Sequence, residues 1–119
     1  MKLNNIMLYY DDLDSVIPFW VDILGFTLES DVVEGIRRIE ITVNDGVNLV
    51  FFMKDDIRVV SPEVPLTTPS LMFFSIDLEK DHLHLQSNGI LVGDIVTHGN
   101  QKVFNFRDLE ENYFAITSQ

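Results

Sequence analysis

Residues 4–10 (NNIMLYY) form a short apolar run rich in strand formers, and Asp11, Asp12, Asp14 and Ser15 then supply helix N-cap candidates. Val16, Phe19, Trp20, Ile23 and Leu24 recur at helical spacing, which predicts a helix over 16–24 with Gly25 as its C-cap. Pro18 falls in the first turn, where its missing N–H matters little. A strand is predicted over 26–33. Across 35–43, Ile36, Ile39, Ile41 and Val43 alternate with Arg38, Glu40 and Thr42, and Asn44-Asp45-Gly46 is a hairpin turn signal leading to a strand over 47–53. Residues 54–69 hold a charged start and Pro62, Pro65 and Pro69, so a surface linker is expected there. The pattern then restarts: a strand over 70–76, an amphipathic helix over 77–88 ended by Gly89, strands over 90–97 and 101–106, a turn at 108–112 and a closing strand over 113–117.

The order β-α-β-β-β therefore occurs twice. Asn5-Ile6-Met7-Leu8 overlays Leu71-Met72-Phe73-Phe74, Gly25-Phe26 overlays Gly89-Ile90, and residues 48–52 overlay 113–117. Neither copy can bury a sheet face alone, so the two are expected to pack as one α+β domain. Its parts are module one (about 1–54), the linker (about 55–69) and module two (about 70–119). Each helix would cover one face of its sheet, and the other faces would curl into a shared cleft. A ferredoxin-like sandwich would need β-α-β-β-α-β order instead.

Composition narrows the function. At 119 residues with 46% apolar residues, including nine Phe, the chain is long enough for a real core. Its net charge of -11 repels nucleic acid and anionic membranes, leaving cationic or neutral small molecules open as partners. No cysteine is present, which excludes disulfides, thiolate catalysis and Cys-bound metals. The N-terminus lacks an apolar signal-peptide region, and no apolar run approaches the roughly 18 residues of a membrane span, so a cytoplasmic protein is expected. No phosphate loop, dinucleotide fingerprint, EF-hand spacing or nucleophile elbow occurs. The run Asp11, Asp12, Asp14 reads as helix capping and dipole stabilisation rather than as a cation site.

Three features resemble the vicinal oxygen chelate superfamily of glyoxalases, extradiol dioxygenases and bleomycin-resistance proteins. Tyr10 to Ser15 leading into Phe19-Trp20 and Leu24-Gly25-Phe26 is similar to the family's opening V-x-D-L-x-x-S…F-Y/W…L-G-F. Phe104 to Phe114 is similar to its closing F-x-D-P-x-G-N-x-x-E. The third feature is the repeat itself. The resemblance implies a curved, incompletely closed eight-stranded mixed-sheet cup with helices outside, and a homodimer, which is also the commonest oligomer. Leu109 stands where the family has Pro, and Glu111 where it has Gly. Glu tolerates positive φ poorly, so a different turn geometry is expected there.

Metallated members of that family hold an ion with His or Glu from the first and last strand of each module. Carried over residue by residue, these positions are Asn5, Val50, Leu71 and Ala115. Such a set cannot bind a divalent metal, so no cofactor is expected. His82 and His84 lie two apart on a helix and point to different sides, and His98 sits in a turn, so all three read as surface histidines.

The remaining candidates are cleft-lining. Arg38 and Glu40 share a strand face opposite Ile39 and Ile41, either as a charged pair orienting a polar ligand or as a same-strand surface pair. Met7 and Tyr9 share the face of Asn5, Phe73 that of Leu71, Phe52 that of Val50, and Phe104 that of Phe106. Together they are expected to form an apolar, aromatic pocket, the usual make-up of a small-molecule site. The expected ligand-binding set is thus Asn5, Met7, Arg38, Glu40, Val50, Phe52, Leu71, Phe73, Phe104, Phe106 and Ala115. The leading function is metal-independent binding of a small molecule in this cleft. The alternatives are an enzyme of the superfamily (lyase, isomerase or dioxygenase) with a non-standard site, and a module whose cleft is filled by its own side chains.

Overall fold

Strand β1 (Ile6–Tyr10) buries Leu8 and Tyr10 and turns Met7 and Tyr9 the other way, the alternation of a sheet with one covered face. The structure is a computed structural model describing residues 1–118. After β1, the Asp12 side chain accepts from the Asp14 N–H (2.9 Å) and caps a 3₁₀ turn, Leu13–Ser15. A helix at Ile17–Ile23 follows, wider than an α-helix: the Leu24 N–H reaches back five residues to the Phe19 carbonyl (3.0 Å). Gly25, at φ +83°, ends it. The helix drives Phe19 and Trp20 onto the sheet, where the Trp20 ring meets Phe51 at 5.5 Å and its Nε1–H donates to the Tyr10 hydroxyl (3.1 Å).

Strands β2 (Thr27–Val32), β3 (Arg38–Asn44) and β4 (Val47–Met53) complete a four-stranded mixed sheet in the order β1-β4-β3-β2. β1 runs parallel to β4 and the other neighbours are antiparallel. The β3–β4 hairpin closes through Asp45 and Gly46 (φ +75°), as the Asn-Asp-Gly signal implies. Ile39, Ile41, Leu49 and Phe51 form the helix-covered face and are buried. Arg37, just ahead of β3, ties two elements together: Nη1 donates to Asp14 (3.0 Å) and Nη2 to Asp31 (3.1 Å). Its pKa is raised, first by the hydrogen bond to Asp31 and then by that to Asp14.

The expected linker is partly helical. α1 (Lys54–Val60) has Asp55 and Asp56 in its first turn, pairs Arg58 with Asp55 at 2.7 Å, and buries only Ile57. Seven residues with one buried position are too few to show a helical period, which is why the charged run reads as linker.

The chain divides into two compact units, Met1–Thr68 and a second beginning at Pro69. The second holds β5 (Met72–Ser75), α2 (Leu78–Ser87), β6 (Val96–His98), β7 (Gln101–Arg107) and β8 (Tyr113–Ser118), with sheet order β5-β8-β7-β6 and β5 parallel to β8. Asp77 caps α2 through the Lys80 N–H, and Leu78 and Leu85 are its buried residues. The strand expected over 90–97 is shorter. Only Val96–His98 pairs continuously, with an isolated bridge from Val92 to Phe106 and a Gly93 N–H to Asn105 carbonyl bond (2.7 Å). Gly93-Asp94 interrupts the run, since both residue types weaken strands.

The repeat also needs shifting. Met7 faces Val50 in β4 and Met72 faces Ala115 in β8, so Met7 is the structural counterpart of Met72 and Ile6 that of Leu71. The sequence overlay of Asn5 on Leu71 is out by one residue.

The closing turn keeps positive φ despite lacking Gly: Glu111 sits at φ 64°. The different geometry expected there is not adopted, because Asp108 locks the loop. Its Oδ1 accepts from the Glu110 and Asn112 N–H groups (both 2.9 Å), and its Oδ2 accepts from Asn112 Nδ2 (2.9 Å). Glu111→Gly should relieve about 1–2 kcal/mol of left-handed strain, offset by about 0.4–1 kcal/mol from the looser unfolded chain. The exposed Arg107–Glu111 pair (3.5 Å) adds little. A net stabilisation of about 0.5–1 kcal/mol in urea unfolding is the expected outcome. A variant less stable than the parent would show that the turn carries no such strain.

Candidate functional site

Strand register sorts the first sheet's uncovered face into rows. Met7, Val50, Glu40 and Ser30 lie across the strands in one row; Tyr9, Phe52, Arg38 and Val32 form the next. Asn48, Thr42 and Thr27 make a third. Asn5, immediately before β1, keeps sequence step with Met7. Thus Asn5, Met7, Arg38, Glu40, Val50 and Phe52 come together on one face, as the alternation around Ile39 and Ile41 implies. Met7 and Arg38 are exposed, Asn5, Glu40 and Phe52 half-buried, and Val50, between Met7 and Glu40, is only 2% exposed and can serve as floor alone.

Polar contacts on this face do not follow the expected charge pair. Glu40 Oε2 accepts from Asn48 Nδ2 at 2.7 Å. Thr42 Oγ1 donates to Glu29 Oε1 at 2.7 Å, Glu29 standing where the β2 register shifts. Among the described residues no ion pair joins Arg38 to Glu40. Asn48 and Thr42 were not among the expected site residues, and their strand parity relative to Val50 and Glu40 is the signal that finds them; Tyr9, expected on the pocket face beside Met7, lies there.

The second sheet corrects the expectation for three aromatics. Phe104 (2% exposed) and Phe106 (1%) pack on the α2 side with Phe114, Ile116 and half-buried Phe73. Phe106 meets Phe114 at 5.8 Å and Phe73 at 6.3 Å, and the His82 ring of α2 stands edge-on to Phe104 at 4.7 Å. These three phenylalanines therefore pack on the helix side of the sheet, not on its uncovered face. The uncovered face instead carries Met72, Ala115 and Asn105 in one row and Phe74, Thr117 and Val103 in the next. Met72 and Phe74 are 64% and 56% exposed. In β5 both parities are apolar, so alternation alone could not orient it; exposed Asn105 between Phe104 and Phe106 was the available cue.

Leu71 lies just before β5, where its carbonyl accepts from the Ala115 N–H (3.1 Å). With Ser70, Asn105, Tyr113, Phe114 and Ala115 it lines a depression of about 280 Å³. Two carried-over positions of the second module, Leu71 and Ala115, therefore share one concavity. The histidines are also placed. His84 and His98 are exposed, but His82 is half-buried, with Nε2 at 2.9 Å from the Gly93 carbonyl, so it is a packing residue rather than a plain surface one.

The family model of the Glyoxalase/Bleomycin resistance protein/Dioxygenase superfamily matches residues 2–116. The chain belongs to this superfamily. No curated protein matches it in sequence. Among solved structures it is similar to TnmS3, an antibiotic binding protein from Streptomyces sp. CB03234, with a TM-score of 0.81 at 18% identity over 99% of this chain and 95% of that one. It is also similar to a lactoylglutathione lyase from Agrobacterium tumefaciens (TM-score 0.77, 17% identity, 98% and 92% covered). A glyoxalase family protein from Enterococcus faecalis gives a TM-score of 0.76 at 17% identity, with 98% and 96% covered. At these identities the likenesses show the fold, two β-α-β-β-β modules with four-stranded mixed sheets.

The superfamily's metal can be tested against the residues present. Asn5 offers one amide and Ser70, its counterpart once the repeat is shifted by one, a neutral hydroxyl; Val50, Leu71 and Ala115 offer hydrocarbon, and Val50 is buried. The nearest carboxylate across the strands from Val50, Glu40, is turned to Asn48. Among the described residues no group of three or more His, Cys, Asp or Glu side chains could hold a metal ion. The donor set does not fit a divalent ion. Among the same residues no helix is long and apolar enough to cross a membrane.

Proposed function

We propose that this superfamily member binds a small organic molecule without a metal ion, on the sheet faces its helices leave uncovered. The carrying observation is that the positions matching the superfamily's ligands hold no His or carboxylate: Asn5, Val50, Ala115 and, before β5, Leu71 or, with the repeat shifted by one, Ser70. On the first unit's face Met7 and Phe52 supply contact area and Glu40, held by Asn48, supplies one directed acceptor; the second unit's own uncovered face offers Met72 and Phe74. The net charge of -11 and the Glu40 carboxylate favour a ligand with a cationic group. Binding of an antibiotic by the similarly folded TnmS3 supports this class of role. The two modules act as a single domain in this reading, within a homodimer in the cytoplasm.

Elemental analysis of the purified protein, followed by titration with nickel, zinc, iron and manganese, tests the proposal. No stoichiometric, tight uptake of any of the four is expected. One equivalent of metal retained per chain would overturn metal-independent binding and favour an enzyme of the superfamily with a non-standard site.

A further inference from the structure

Arg37 and Arg38 are neighbours with opposite fates. Arg37 is engaged by Asp14 and Asp31. Five of the eight Lys and Arg side chains form ion pairs among the described residues, as expected where nineteen acidic side chains outnumber the basic ones. Arg38 is not one of them, although it stands on an interior strand of the sheet with Glu40 two positions on along the same face. Glu40 has turned instead to the Asn48 amide, which occupies one oxygen and leaves the other carboxylate oxygen to accept. The face thus presents a guanidinium and a directed carboxylate on Cα positions about 7 Å apart along β3. Between and beside them lie Phe52, directly opposite Arg38, and Val50, directly opposite Glu40. An exposed pair on one strand contributes little when closed on itself, so engaging both groups from outside forfeits little stability.

We propose that the uncovered face of the first sheet recognises a zwitterionic ligand, its protonated amine on Glu40 and its carboxylate on Arg38. The inference rests on the small-molecule reading above and sharpens it: the ligand carries an acid as well as a base. The guanidinium fork suits a carboxylate bidentately, and Phe52 and Met7 offer the apolar surface for the body joining the two charges. A ligand with the amine alone would leave Arg38 unused, and one with the acid alone would bring a second negative charge towards Glu40.

The test uses the full ¹⁵N-labelled chain and three probes sharing one ring: 4-(aminomethyl)benzoate, benzylamine and 4-methylbenzoate. The zwitterion is expected to shift β3 and β4 amide signals and to bind at least about tenfold more tightly than either single-charge analogue. Arg38→Gln should bring its affinity down to that of benzylamine, and Glu40→Gln to that of 4-methylbenzoate, with unfolding midpoints near the parent's. Benzylamine binding the same face as tightly as the zwitterion overturns the inference and leaves the cationic-ligand reading standing. Shifts confined to the second sheet, or no shift with any probe, also overturn it. The metal titration decides the parent reading independently.

Discussion

Phe106→Ala is expected to lower the unfolding free energy by about 3–5 kcal/mol, the range for truncating a fully buried aromatic. The ring is 1% exposed and is ringed by Phe73, Phe104 and Phe114 at centroid distances of 6.3, 6.5 and 5.8 Å. Neighbours so bulky cannot collapse into the space, so both the transfer and the cavity contributions apply. Domains of this kind are stable by only about 5–15 kcal/mol, and the variant should therefore unfold near ambient conditions or at much lower denaturant. Phe74→Ala is the matched control. Phe74 projects from the opposite face of the same sheet and is 56% exposed, so its truncation should change stability by less than about 1 kcal/mol. Urea titrations of the two variants compare the faces directly. A larger loss in Phe74→Ala would reverse which face of the second sheet is core.

Asp108→Ala should cost about 2–4 kcal/mol. The carboxylate is 4% exposed and accepts from two backbone N–H groups and one side-chain amide. Removing it leaves the Glu110 and Asn112 N–H groups without that acceptor, and each such loss to a charged partner is worth about 1.5–3 kcal/mol before water repays part of it. Asp108→Asn retains one carbonyl oxygen for both N–H groups but sets its own amide against that of Asn112, so roughly half the loss is expected. Hydrogen exchange at Glu110 and Asn112 reads the effect locally. Both amides should lose protection in the alanine variant, and retained protection would mean that the loop does not depend on Asp108.

Where one face of a strand is polar, the architecture could be read from residues alone. Ile39 and Ile41 against Arg38 and Glu40 fix the parity of β3, the Asp45-Gly46 turn fixes the hairpin, and β4 follows with the expected ends. Six candidate site residues then fall together in the first module. The second module lacks that contrast. Met72, Phe73 and Phe74 are all apolar, so neither parity announces the core, and the expectation put Phe73, Phe104 and Phe106 on the wrong side. A repeat aligned by residue type slipped by one position at its first strand, because only pairing with Val50 and Ala115 distinguishes Met7 and Met72 from their neighbours. Helix α1 was invisible for a different reason: one buried side chain in seven leaves no period to detect.

The parallel pairings set the order in which each module can assemble. Ile6 pairs with Leu49 and Met72 with Ala115, forty-three residues on in both cases. The β2–β3–β4 and β6–β7–β8 meanders are local and can form early, whereas β1 and β5 must wait for the most distant strand of their own module. During synthesis β1 emerges first and stays unpaired until β4 appears, by which time β5 is the next apolar strand to leave the ribosome. With equal spans and matching parallel register, β1 and β5 are chemically similar claimants for the free edges of β4 and β8. The intervening chain that delays β5 gives β1 time to claim β4, so the order of translation itself favours correct pairing within each module.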